Sequence, residues 1–250
     1  MQSRFVQQRS RALIGRRPVL AALASLLPAR GWAAEPSLLD RAIARAGGEE
    51  ALRRARRLQW TGEALAFTPT GSNLVGVSTT IVPFRAARTD AWLIAEGPAR
   101  PRTLAVEGDS GWTEQNGVRR PMSEAMLAHW KAHYALYGLM RLVPLRDPGV
   151  SIEENAQALQ ITVVHPQAPR TTLAFDAEAR LIGAADTIPA PDGGHSISQV
   201  VAFEGEITDS GARWPQFLRV SRDGRPHLEL RLKTFKAGPP DPAGRSLDQG

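Results

Sequence analysis

From residue 58 to residue 235 the chain is written almost throughout in a two-residue period, and the segments that carry it are joined by short turns. Trp60, Gly62, Ala64 and Ala66 alternate with Gln59, Thr61, Glu63 and Leu65 as far as the turn Thr68-Pro69-Thr70-Gly71. Val75, Val77, Thr79 and Ile81 carry the same period back, which makes a long hairpin. Further strands are expected at 84–88, 91–96, 103–107, 159–164, 171–175, 181–187, 197–206, 214–221 and 227–235. Asn116-Gly117 and Asp223-Gly224 are read as hairpin turns, because both central residues of the favoured two-residue turn take positive φ. Strands joined in this way pair antiparallel, since a parallel pair needs a crossover, usually helical, of a dozen or more residues.

Two helical segments interrupt the pattern. Leu38, Leu39, Ala42, Ile43 and Ala46 recur at helical spacing behind Ser37, a suitable cap, and Gly47-Gly48 ends that helix. A short second turn of helix over 51–56 has Glu49-Glu50 at its positive end and arginines at its negative end, as the helix dipole prefers. In the middle of the chain, Ser123 caps an amphipathic helix ending before Pro144, with Gly138 as its weak point. The expected fold is mainly β (α+β): one large, curved antiparallel sheet forming an unclosed half-barrel, covered by the N-terminal helix and the long central helix. Its concave face should enclose an apolar cavity.

The first 33 residues differ in kind from the rest. Arg4, Arg9, Arg11, Arg16, Arg17 and Arg30 lie there without one acid and account for the whole formal charge of +6. A basic start, the apolar run 19–27 and the small-residue exit at Ala33 are the three parts of an export signal. Arg16-Arg17 fits a twin-arginine route or an ordinary signal equally. The run is too short to span a bilayer, which takes about 20 apolar residues, so no transmembrane anchor is expected. Residues 34–237 should then form a single exported periplasmic domain, followed by a disordered Pro/Gly-rich tail at 238–250. Outside the leader 25 basic residues face 25 acidic ones, which removes nucleic acid as a partner. Cysteine is absent, so disulfides, thiol nucleophiles, thiolate metal sites and a lipid-bearing cysteine are excluded.

The order of elements, with Gly47-Gly48-Glu49-Glu50-Ala51-Leu52 on the leading helices, Pro83-Phe84-Arg85 on a middle strand, Gly108-Asp109-Ser110-Gly111-Trp112 and Phe175-Asp176-Ala177-Glu178-Ala179-Arg180-Leu181, resembles the outer-membrane lipoprotein carrier and receptor (LolA/LolB-like) superfamily over residues 37–236. The Gly47-Gly48 helix pair and the long central helix resemble its uncharacterised exported relatives more than a lipoprotein carrier proper. The resemblance implies acyl chains held between the concave sheet and covering helices, and a strand arginine, here matched by Arg85, that helps latch the lid of the empty form.

Candidate chemistry is sparse. His129 and His133 share a helix face and could hold a metal, but Trp130 stands where a zinc protease has its Glu and no third ligand is fixed. A metal-dependent hydrolase built on that pair is therefore a remote alternative. No Gly-x-Ser-x-Gly elbow or phosphate-binding glycine loop occurs, so neither an enzyme nor a cofactor is expected. Glu153-Glu154 read as a solvated polar connection. What remains is apolar and aromatic: Trp60, Phe84, Arg85, Trp92, Trp112, Met126, Trp130, Tyr134 and Phe175 are the candidate ligand-binding residues. The function that follows is a soluble periplasmic protein binding or carrying a hydrophobic, acyl or lipoprotein ligand. The alternative is an envelope protein interaction module without a small ligand.

Overall fold

The computed structural model describes residues 35–239; the expected export signal and the tail from 240 onward lie outside the described residues. Helices α1 (Leu38–Arg45) and α2 (Glu49–Arg54) come first, followed by β1 (Arg57–Thr68), β2 (Gly71–Val82), β3 (Ala86–Leu93), β4 (Arg102–Glu107), β5 (Ser110–Gln115) and β6 (Val118–Pro121). Helix α3 (Glu124–Leu139) and a short 3-10 turn (Val143–Arg146) separate these from β7 (Ser151–Asn155), β8 (Gln160–Val164), β9 (Thr171–Phe175), β10 (Leu181–Pro189) and β11 (Ser196–Glu204). Last come β12 (Ile207–Asp209), β13 (Ala212–Trp214), β14 (Phe217–Arg222) and β15 (Arg225–Gly238).

Thirteen strands make one antiparallel sheet in the order β6-β5-β4-β3-β2-β1-β15-β14-β11-β10-β9-β8-β7, and its ends β6 and β7 do not pair with each other. This is the expected unclosed half-barrel. The two hairpin turns form as their chemistry requires, with φ of 53° and 75° at Asn116 and Gly117 and of 48° and 74° at Asp223 and Gly224. Ser37 caps α1 in a reciprocal box with Asp40.

Four local expectations are corrected. Segments 84–88 and 91–96 are one strand, β3, because Phe84 turns the chain in a left-handed conformation and no break follows until Leu93. The 197–206 segment ends at Glu204, and β12 with β13 form a separate hairpin. That hairpin packs on α1, where Arg213 N–H donates to the Ala46 carbonyl and Gly47 lies so close to the Gly211 carbonyl that any side chain at position 47 would collide with it. Glu153 and Glu154 sit on strand β7 and point to opposite faces: Glu153 lies near Arg170, while Glu154 accepts from the N–H groups of Leu38 and Leu39. Lastly, α3 is amphipathic only at its start, since every residue from Tyr134 to Leu139 is buried. A helix segment apolar all round belongs inside a core, so the second half of α3 covers the concave face as packed core, the helix meeting β4 on one flank of the sheet and β10 on the other.

The inward face of β1 shows how the core divides. Leu58 and its cross-strand neighbours Ile81 and Ala237 are buried. Farther along the strand the inward residues shrink to Ala64 and Ala66, too small to fill the space between sheet and helix. One end of the half-barrel is consequently dry core and the other is hollow.

Candidate functional site

The hollow is a cavity of about 840 Å³ between the inner face of β1 to β4, β14 and β15 and one side of α3. Its walls are apolar for most of their extent, including Val75, Val77, Ala91, Leu104, Leu228 and Leu230. Exposed Glu96, Arg100 and Asn116 stand where it meets solvent. Such a volume and lining suit a small apolar ligand.

Of the predicted lining residues, the structure brings Trp60, Trp130 and Tyr134 together on these walls. Trp60 is buried with its ring 5.1 Å from that of Tyr137, and the Tyr134 hydroxyl is 2.8 Å from Thr89 Oγ1, which is 3.0 Å from Thr79 Oγ1. That chain of hydroxyls fastens α3 across β2 and β3. Trp92 reaches the rim, but alternation turns it away from Ala91 and Leu93, and its indole covers the bare Cα of Gly76.

The other predicted residues lie elsewhere. Trp112 is on the convex face: Gly111 beside it faces Met122 and Leu127 on the α3 side, so Trp112 points outward, where the Arg119 guanidinium sits 3.6 Å from its ring. Phe84 and exposed Arg85, just ahead of β3, line a second cleft of about 730 Å³ on the other side of α3. There Phe84 stacks on His165 at 4.2 Å and fills the space left by Gly138. Met126, half-buried in the first turn of α3, and Phe175, deep in the packed core, stand outside the walls of both clefts.

The structure adds a polar cluster at one end of the larger cavity. His133, Tyr137, Arg222 and His227 line it there. Behind them Gln199 Nε2 donates to Asp186 Oδ1 at 3.2 Å, and Arg222 Nε donates to Gln199 Oε1 at 3.3 Å. Burial pushes the His133 imidazole down to about 3, aided by the nearby charges of Arg222, His129 and His227 and partly offset by a Gln199 hydrogen bond. Burial likewise takes His227 down to about 4, raises the Tyr137 phenol to about 12 and lifts the Asp186 carboxyl to about 6. Near neutral pH the two histidines and the tyrosine are uncharged.

This cluster carries a signal in the sequence. Arg222 follows Leu218 and Val220 in phase, Gln199 stands between Ile197 and Val201, and Asp186 between Ala184 and Ile188, so each polar residue occupies an inward position of an otherwise apolar stripe.

His129 and His133 are placed apart in chemistry if not in space. His129 Nδ1 lies 2.7 Å from the Pro189 carbonyl, and the Trp130 ring meets both imidazoles edge-on. Among the described residues no three His, Asp or Glu side chains come together in a metal-binding arrangement.

Neither protein-family models nor curated proteins give a match to this chain. Solved structures do. A DUF1329 family protein from Desulfovibrio piger superposes with a TM-score of 0.50 at 9% identity over 84% of this chain and 93% of its own, and the two share a fold. A LolA superfamily protein from Nitrosomonas europaea gives a TM-score of 0.49 at 13% identity over 80% of this chain and 97% of its own. A putative outer membrane lipoprotein-sorting protein domain from Vibrio parahaemolyticus gives 0.48 at 9% identity over 84% and 93%.

Proposed function

We propose that this protein, exported to the periplasm, binds or carries an acyl or other hydrophobic ligand in the hollow end of its half-barrel. The observation that carries the proposal is the cavity of about 840 Å³ walled by Val75, Val77, Ala91, Leu104, Leu228 and Leu230 and floored by Trp60 and Trp130. Water held against such walls is readily displaced, and each methylene transferred there contributes about 0.8 kcal/mol. Binding of this kind calls for no catalytic group, and among the described residues no helix is long and apolar enough to cross a membrane.

The test is direct. Full-length protein expressed with its own leader and recovered from the periplasm is examined by native mass spectrometry, then stripped and titrated with a fluorescent fatty acid. A co-purifying lipid, or saturable uptake competed by unlabelled fatty acid, supports the proposal. A ligand-free mass together with no uptake removes it.

A further inference from the structure

The polar cluster at the end of the cavity says more about the ligand than the apolar walls do. Asp186, Gln199 and Arg222 are direct cross-strand neighbours on β10, β11 and β14. Gln199 stands between the two charges, giving its amide N–H to Asp186 and its carbonyl to Arg222 Nε. Arg222 is thereby held by one nitrogen, and among the described residues no carboxylate lies within ion-pair distance of it. Its Nη2 is sealed from solvent and has no hydrogen-bond partner. His133 and Trp60 line the cavity beside it, with their Nδ1 and Nε1 likewise buried beneath its surface and unpartnered, and the Tyr137 ring packs against both side chains at 5.8 and 5.1 Å.

Arg222 is half-buried, and a partly desolvated guanidinium with no carboxylate among the described residues at ion-pair distance favours an anion beside it. A cation so placed on the wall of an otherwise apolar cavity makes that end of the cavity the complement of a group with negative charge. The nearest acids, Asp186 and Asp223, act on Arg222 through their charge but from beyond ion-pair distance. His133 and His227 are neutral, and Asp186 is turned toward Gln199.

Resting on the carrier function proposed above, we infer that the ligand is a single-chain acyl amphiphile with an anionic head, its head oxygen bound by Arg222 at the polar end of the cavity and its chain laid along Val75, Val77, Leu228 and Leu230. Carboxylate and phosphate heads share the chemistry that Arg222 recognises. Trp60 and His133 line the cavity beside the head as neutral side chains.

The experiment compares hexadecanoic acid, hexadecyl phosphate and methyl hexadecanoate on delipidated full-length protein, by calorimetry or displacement of a fluorescent probe. At least one anionic ligand should bind about tenfold or more tightly than the ester, as expected for a hydrogen bond to a charged group. Whichever anion binds more tightly identifies the head. Arg222→Gln should bring that ligand down to the affinity of the ester and leave the ester unchanged. Arg222→Lys should keep part of the preference, and Arg219→Gln, on the same strand but facing outward, should keep all of it.

If Arg222→Gln does not fold, the wild-type ratio and the lysine variant decide. Equal binding of ester and anions by the wild type, or equal weakening of all three in Arg222→Gln, overturns the anionic head while leaving the carrier function standing. Failure of all three to bind the wild type overturns the carrier function itself.

Discussion

A single charged side chain set into an apolar stripe has consequences for stability as well as for binding. His133 and His227 are held near 3 and 4 by burial, well below the ordinary histidine value, so between those values and about 6.5 the unfolded chain binds protons that the folded chain refuses. Their contribution is present at neutral pH and is lost as pH falls through this window. Asp186, raised to about 6, acts in the opposite sense, its contribution falling as pH rises toward 6. Two groups outweigh one, and unfolding free energy should fall by roughly 1 kcal/mol per pH unit between pH 6 and 4 from this cluster. Urea titrations at several pH values check this, and His133→Phe should flatten the slope; a slope unchanged in that variant would show His133 to be freely protonated. Among the aromatics, Trp60, Trp130 and Tyr134 reach the cavity as the sequence led one to expect, and Trp112 does not. Periodicity says which residues share a face, but two faces of a sheet can both carry tryptophan, and an arginine laid on the ring makes the outward position hospitable.

At the scale of elements, the ends of helices and strands explain how the layers are joined. The first three N–H groups of α1 are all taken by side chains, those of Leu38 and Leu39 by Glu154 on β7 and that of Asp40 by Ser37. Arg146 of the 3-10 turn binds Asp40 and, at 2.6 Å, Glu49 of α2, so both leading helices are fixed to the chain that follows α3. Glu154→Ala removes two of these caps together with a charge favoured by the helix dipole, and should cost about 1–2 kcal/mol in a urea titration. Gly138 is a sharper case. Alanine is intrinsically better in a helix by about 1 kcal/mol, but a Cβ there would lie 2.5 Å from the Phe84 ring. Gly138→Ala is accordingly expected to destabilise, by about 1–3 kcal/mol, and a stabilised variant would mean that Phe84 moves freely. The unpaired edge strand β6 carries Arg119, Arg120 and Pro121 on a fully exposed segment, features that discourage strand addition by a partner.

For the whole molecule the important division is between a filled and a hollow end of one concave surface. Small inward residues leave the hollow, so enlarging one should close it without harming the rest. Ala91→Leu is expected to reduce fatty-acid uptake several-fold while changing unfolding free energy by less than about 1.5 kcal/mol. Uptake equal to wild type would move the ligand to the second cleft beside Phe84 and Arg85. A ligand that occupies the hollow only in the folded state should raise stability by about 2.7 kcal/mol at a hundredfold excess over its Kd, read as a shift in Tm.

The sequence alone determined the antiparallel sheet, both leading helices, the helical interruption and the positive-φ hairpin turns, because periodicity, caps and turn chemistry act over a few residues. Tertiary structure decided the rest. Glu154 became a helix cap 116 residues away from Leu38, α3 became a core helix, and the in-phase Asp186, Gln199 and Arg222 became one network, because only sheet register and curvature bring such distant positions within reach of one another. The hollow belongs to that second class: alternation marks an inward face, but the room left above it depends on how far the sheet bends and where the helix lies.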